Sequence, residues 1–233
     1  MAAQPPTNRS ARREDIARLS SRIRPCRPGM RLSWRLARGV ILGLCRLFFR
    51  FEIRHPERIP SEGAFLAAAT HTSHLDPPII GAALGREAYY LARTGILRAP
   101  LVGRWCRHFN TVAIRRGASD RQALKMCRQV LQAGWPLIFF PEGTRSTDGR
   151  LRPIQGGFGM ILEGLNVPYV PIVIQDTHHI LARGKMLPRP AKVRMIVGEP
   201  AYLPARGEGE NTREWLARCR ADLARRYREL GAR

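Results

Sequence analysis

Two short stretches carry the side chains that could do chemistry together. The first, THTSHLDPP at 70–78, gathers His71, Ser73, His74 and Asp76 in a chain with only six histidines. A neutral imidazole can take the proton of a hydroxyl while a carboxylate on its other nitrogen fixes the tautomer and stabilises the imidazolium. Asp76 lies five positions after His71 and can reach back to it. His74 stands two residues from Asp76, where the same turn cannot orient it as well. Ser73 lacks the G-x-S-x-G elbow that exposes a nucleophile, which leaves it a turn role. Asp76-Pro77 also reads as a helix start, with Asp as N-cap and Pro at the first helical position. Capping and orienting the base can coexist in one carboxylate.

The second stretch is LIFFPEGTRS at 137–146, an apolar strand running into a polar turn. Sites in α/β folds form where strands end. Arg145 can grip a phosphate through two N–H groups, and Gly143 lets main-chain N–H groups approach an anion. Glu142 can accept from a hydroxyl or orient the arginine. By itself this stretch reads first as an ordinary solvated loop with a local Glu–Arg pair.

These loops need a framework, and the chain supplies one from about residue 52 onward. Apolar runs at 64–69, 88–92, 111–115, 136–140, 169–174 and 192–197 alternate with helical patterns near 77–84, 120–133 and 156–165. That alternation predicts an α/β fold with a mixed, largely parallel sheet covered by helices, spanning 52–203. A polar connection then leads, within 204–233, to a helix from about Thr212. Asn211 and Glu214 are spaced there for a capping box, and Trp215, Leu216, Cys219, Leu223, Tyr227 and Leu230 line one face.

Ahead of the domain, 1–30 has little periodicity and reads as a loose basic segment. Residues 31–51 form an amphipathic pattern. Arg31, Arg35, Arg38, Arg46 and Arg50 fall on one stripe, opposite Leu36, Val40, Leu44, Leu47, Phe48 and Phe51, with Trp34 near the edge. Such a helix fits an interfacial membrane segment or one docked by its apolar face on its own domain.

Composition narrows the partners. With 44% hydrophobic and 25% charged residues the chain is globular in type, yet its formal charge is +22. A surplus of that size attracts polyanions, an anionic membrane or a nucleic acid. No zinc-finger, helix-turn-helix or RNP pattern supports nucleic acid. The five cysteines form no C-x-x-C pair and read as packing thiols of a reducing compartment. Neither a ~20-residue apolar span nor the apolar core of a secretory signal is present.

Taken together, HTSHLD and, some seventy residues later, FPEGTRS resemble the glycerolipid acyltransferase family typified by 1-acyl-sn-glycerol-3-phosphate acyltransferase. The family pattern N-H-x-S-x-x-D is met at 70–76, and F-P-E-G-T-R-S is met without change at 140–146. NTVAIRR at 110–116 resembles a second block ending in Arg116, and VPYVPI at 167–172, with Pro168 and Pro171, resembles a fourth. Departures are Thr70 for Asn, Arg115 for Asp, and a 92–100 stretch in which Arg93 stands for a basic residue of relatives. The resemblance covers about 60–200.

It implies transfer of a fatty acyl group from a thioester, acyl-CoA or acyl carrier protein, to a lysolipid hydroxyl. His71 would deprotonate that hydroxyl and Asp76 would orient His71, with direct attack on the thioester and no metal or other cofactor. Glu142, Gly143, Thr144 and Arg145, with Arg116 and Arg93, would hold the acceptor's phosphate or glycerol, while Pro168 and Pro171 would shape an acyl channel or the framework. The acceptor so implied is 1-acyl-sn-glycerol-3-phosphate. The altered second block leaves glycerol-3-phosphate, a lyso-ornithine lipid or another lysolipid as alternatives. The resemblance further places the chain peripherally at the cytoplasmic face of the inner membrane, with 31–51 meeting anionic lipid and the basic surface open to an acidic carrier protein.

Overall fold

The computed structural model describes residues 23, 26, 29–93, 103–104, 106, 108–114, 120–180 and 189–232. Within these, each of the six apolar runs becomes a strand of one sheet: β2 (Leu66–Ala69), β3 (Tyr89–Arg93), β4 (Thr111–Ile114), β5 (Leu137–Phe139), β6 (Tyr169–Gln175) and β7 (Arg194–Val197). A seventh strand, β1 (Glu52–Arg54), adds at one edge. Three residues are too few to show a period, so its pairing with β7, not its own pattern, makes it a strand.

The spatial order is β1-β7-β6-β2-β5-β3-β4. Every ladder is parallel except β6–β7. The architecture is therefore the expected α/β one, a mixed and largely parallel sheet. Helices α1 (Leu32–Phe49) and α2 (Asp76–Ala83) cover one face; α3 (Asp120–Gln132), α4 (Gly157–Leu162) and α6 (Thr212–Glu229) cover the other, and a one-turn α5 (Thr177–Ile180) follows β6.

Strand alternation divides the core in two. Ala67, Ala69, Val170, Ile172 and Ile174 face the α1–α2 side with Phe65, Ile79 and Ile80. Leu66, Ala68, Tyr169 and Val173 face Met126, Phe158, Leu223 and Tyr227 on the other. β2 at the centre has all four residues fully buried. Its small side chains let helices approach from both sides, as a strand covered on both faces requires. The capping box forms as its spacing predicted: Asn211 Oδ1 accepts from Glu214 N at 3.0 Å and Glu214 Oε2 from Asn211 N at 3.3 Å.

α1 behaves differently from either simple expectation. It does dock on the domain, but through Trp34, Leu42, Cys45 and Phe49, a sector between the arginine stripe and the aliphatic row. Trp34 stacks on Tyr90 with ring centroids 6.3 Å apart and tilts against Phe109 at 5.1 Å. Arg38 Nε donates to Ala82 O at 2.9 Å. Ring stacking and this Arg38 anchor hold the docked sector. The aliphatic row is left bare: Leu32, Leu36, Val40, Leu44, Leu47 and Phe48 are exposed, Leu47 to 74%. Phe51, counted by periodicity with that row, is instead in the core, because the helix ends at Phe49 and Arg50 turns the chain with φ 43°.

Candidate active site

β2 to β6 point the same way, so the segments after β2, β5 and β6 meet at one sheet edge. Thr70 leaves β2 with its N–H donating to Ile172 O, and its Oγ1 accepts from Ile174 N at 3.0 Å. A threonine hydroxyl there extends the β2–β6 pairing by one bond.

The chain next forms a loop around Asp76. Its Oδ2 accepts from His71 Nδ1 at 2.9 Å, Thr72 N at 2.7 Å and Ser73 N at 2.7 Å. Its Oδ1 accepts from Thr177 Oγ1 at 2.6 Å. The residue is fully buried. A buried carboxylate needs such donors, and among the described residues no lysine or arginine bonds this one. With Nδ1–H given to the carboxylate, Nε2 of His71 is the basic nitrogen.

The expected N-cap role of Asp76 does not form. α2 begins at Asp76 itself, Leu75 holds the cap position, and no side-chain cap bond is made. Pro77 and Pro78 explain this: neither has an N–H, so the helix start has little for a cap to satisfy. The carboxylate is thereby free to turn back to the loop. Ser73 is buried and its Oγ accepts from Leu75 N at 3.3 Å, a turn role.

The 140–146 block wraps this histidine. Phe140 stacks on the imidazole with centroids 4.0 Å apart and planes at 22°. Glu142 Oε1 accepts from His71 N at 2.8 Å, and Ser146 N donates to His71 O at 2.7 Å. Glu142 Oε2 accepts from Arg152 N at 2.9 Å. Burial pushes the Glu142 carboxyl up, against the pull of these N–H groups. Both its oxygens serve the main chain, so where the sequence offered Glu142 to an acceptor or to Arg145, the structure has it joining two loops. Its neighbours differ. Gly143 turns the chain with φ +67°, a conformation that favours glycine, and Gly143, Thr144 and Arg145 are exposed. Arg145 makes no hydrogen bond or ion pair among the described residues. His74 is pushed down by desolvation and then by Arg145 and His71.

The other residues expected at the site are Arg93, Arg116, Pro168 and Pro171. Arg93 ends β3, with only its backbone described. Arg116 lies outside the described residues. Pro168 and Pro171 belong to the sheet framework: Pro168 O accepts from Leu66 N, and Pro171 O from Gly198 N. Proline is tolerated within β6 because its missing N–H faces the gap between the β7 ladder and the isolated Tyr169–Ala201 bridge.

Residues 50–175 match the family model described as Acyltransferase. The chain belongs to the Acyltransferase family. A chloroplastic 1-acyl-sn-glycerol-3-phosphate acyltransferase of Brassica napus is 32% identical over 159 residues, covering 66% of this chain and 46% of its own. A 1-acyl-sn-glycerol-3-phosphate acyltransferase of Bacillus subtilis is 25% identical over 186 residues, covering 77% and 87%. The chain spans about half the length of the plant relatives it matches. In fold it is similar to the crystal structure of the 1-acyl-sn-glycerophosphate acyltransferase of Thermotoga maritima, with a TM-score of 0.64 at 24% identity over 96% of this chain and 90% of that one.

Within this Acyltransferase-family site, sequence reasoning missed two threonines. Thr177 lies on α5, a hundred residues from the Asp76 it touches, and Thr72 Oγ1 meets Thr177 Oγ1 at 2.6 Å. No local signal joins residues that far apart. It also missed that Phe140, Glu142 and Ser146 hold His71 itself, although all three were inside a recognised block.

Proposed function

We propose that this chain transfers a fatty acyl group from an acyl thioester to the free hydroxyl of 1-acyl-sn-glycerol-3-phosphate, giving phosphatidic acid. The observation that carries this reading is the His71–Asp76 pair at 2.9 Å, its carboxylate buried and its histidine side chain 17% exposed at the sheet edge. The acceptor is that of the plant and bacterial 1-acyl-sn-glycerol-3-phosphate acyltransferases to which the chain is similar.

In this mechanism Nε2 of His71 takes the proton as the acceptor oxygen bonds to the thioester carbonyl carbon. The imidazolium formed is stabilised by Asp76. The tetrahedral oxyanion collapses, the carbon–sulfur bond breaks, and the thiolate recovers the proton from His71. Exposed Thr144 and Arg145, with the Gly143 turn, hold the acceptor's phosphate, while Phe140, Glu142 and Ser146 keep the histidine in place. Arg145 suits that role because its guanidinium is otherwise uncommitted among the described residues.

The bare aliphatic row of α1 fits a lysolipid acceptor. No helix among the described residues is long and apolar enough to cross a membrane. A row of six exposed apolar side chains beside arginines therefore supports peripheral contact with an anionic bilayer.

The test is product analysis with the full chain, supplying acyl-CoA and acyl carrier protein donors against a panel of lysolipids and glycerol-3-phosphate. Phosphatidic acid from 1-acyl-sn-glycerol-3-phosphate, absent with His71→Ala and retained with His74→Ala, is the expected result. Transfer only to another acceptor would replace the substrate, and full activity of His71→Ala would overturn the base.

A further inference from the structure

We propose that Thr177 is a positioning residue of the reactive pair, acting on His71 through Asp76. The proposal rests on His71 being the general base.

Three of the donors to Asp76 converge on Oδ2, and all come from the 71–73 loop. Oδ1 has Thr177. Thr177 belongs to a different part of the fold, the turn leaving β6, and is fully buried. It therefore ties the far side of the carboxylate to the sheet and sets its plane relative to the imidazole. Without it, an ionised oxygen would sit in the core with no donor, and the carboxylate could tilt to seek one.

Charge also settles the direction of the chain of hydrogen bonds. An ionised carboxylate only accepts, so the Thr177 proton must point to Asp76. The Thr177 oxygen can then only accept from Thr72 Oγ1, at 2.6 Å. Thr72 Oγ1 donates to Thr177, which donates to Asp76, which accepts from His71: a relay linking the segment after β6 to the base. Thr177 touches neither substrate nor reacting atom, so its contribution is orientation. In structural terms it gives the segment after β6 a part in the chemistry.

The experiment compares wild type, Thr177→Val, Thr177→Ser and an Asp76→Asn control in the full chain labelled with 15N-histidine. The His71 Nδ1–H proton is followed by NMR, which needs no substrate. Wild type and Thr177→Ser should share one downfield resonance; Thr177→Val should shift it upfield or lose it to exchange. An unchanged resonance in Thr177→Val overturns the proposal. In the transfer assay, Thr177→Val should lower kcat about tenfold with both KM values unchanged, and Thr177→Ser should stay within about twofold of wild type. Wild-type kcat in Thr177→Val, or failure of Ser to restore it, also overturns the proposal. If Val prevents folding, Thr177→Cys, with a weak donor in the same place, must fall below Ser in both readouts. Should wild type transfer no acyl group, the functional reading fails, and the NMR comparison still decides the role of Thr177.

Discussion

Asp76 and Glu87 are both buried carboxylates, at opposite edges of the sheet, and they are satisfied in opposite ways. Among the described residues Asp76, where the parallel strands end, is bonded by no guanidinium or ammonium but by an imidazole, two main-chain N–H groups and a hydroxyl. Glu87, where they begin, is gripped by Arg31, whose N and Nε donate to it at 2.7–3.0 Å, with Asn110 Nδ2 at 3.3 Å. Burial would raise the Glu87 carboxyl, but the Arg31 bonds and charge outweigh it and leave it below the usual range. A carboxylate already matched by a guanidinium has little field left for a new cation. One held by neutral dipoles keeps its charge for an imidazolium that forms during reaction. The first arrangement suits a clamp, the second a catalyst.

The clamp also has a definite object. Glu87 precedes β3 and Asn110 precedes β4, so α1 starts at the edge away from His71. Its last residue, Phe49, accepts from Val193 N, just before antiparallel β7, at the edge where β6 ends. α1 thus runs from one edge to the other with its bare aliphatic row along it. Leu47 and Phe48 stand at the end nearer His71.

The contrast breaks most sharply at Asp76. Asp76→Asn can keep its oxygen on the three loop donors and its amide on Thr177, so folding should survive while kcat falls about a thousandfold or more. Steady-state kinetics beside a thermal melt would show it, and a loss of folding in step with kcat would erase the distinction. Next in size is the surface joining the two edges. Leu47→Glu with Phe48→Glu removes two exposed apolar contacts and adds two like charges, so binding to anionic phosphatidylglycerol vesicles should weaken about a hundredfold with little change in melting. Unchanged vesicle sedimentation would remove α1 from the membrane contact.

The smallest effect belongs to the clamp. Glu87→Gln should cost about 1–3 kcal/mol of stability at pH 7 with kcat of the folded fraction unchanged. The sign of its pH dependence follows from the lowered carboxyl. Its stabilisation is fully present above the unfolded glutamate value and is lost as pH falls through the lower folded value. Urea midpoints of wild type and Glu87→Gln should therefore differ at pH 7 and converge as the medium is made strongly acidic. A kcat loss like that of Asp76→Asn would mean that both edges serve the chemistry.

Much of this was legible in the residues themselves. The apolar runs became strands because a strand buried on both faces needs little more than small or branched apolar side chains in sequence. The five-residue spacing of His71 and Asp76 was readable because the contact is local, within one loop. What local spacing could not show was how each group would be used. Asp76 had the composition of a cap, but Pro77 and Pro78 removed the donors a cap would serve. Glu142 had the composition of a substrate contact, but the fold placed His71 N and Arg152 N within reach of its two oxygens.

The α/β framework, the spacing that pairs His71 with Asp76 and the amphipathic pattern of α1 are all readable from the residues, since each is set by neighbours within a few positions or by a regular period. Which sector of α1 is covered, that the 140–146 block supports His71 as well as presenting Arg145, and that Thr177 completes the shell of Asp76 emerge only once the chain is folded. Those depend on contacts across 44 to 105 residues, and contacts at that separation leave no periodic trace in a single chain.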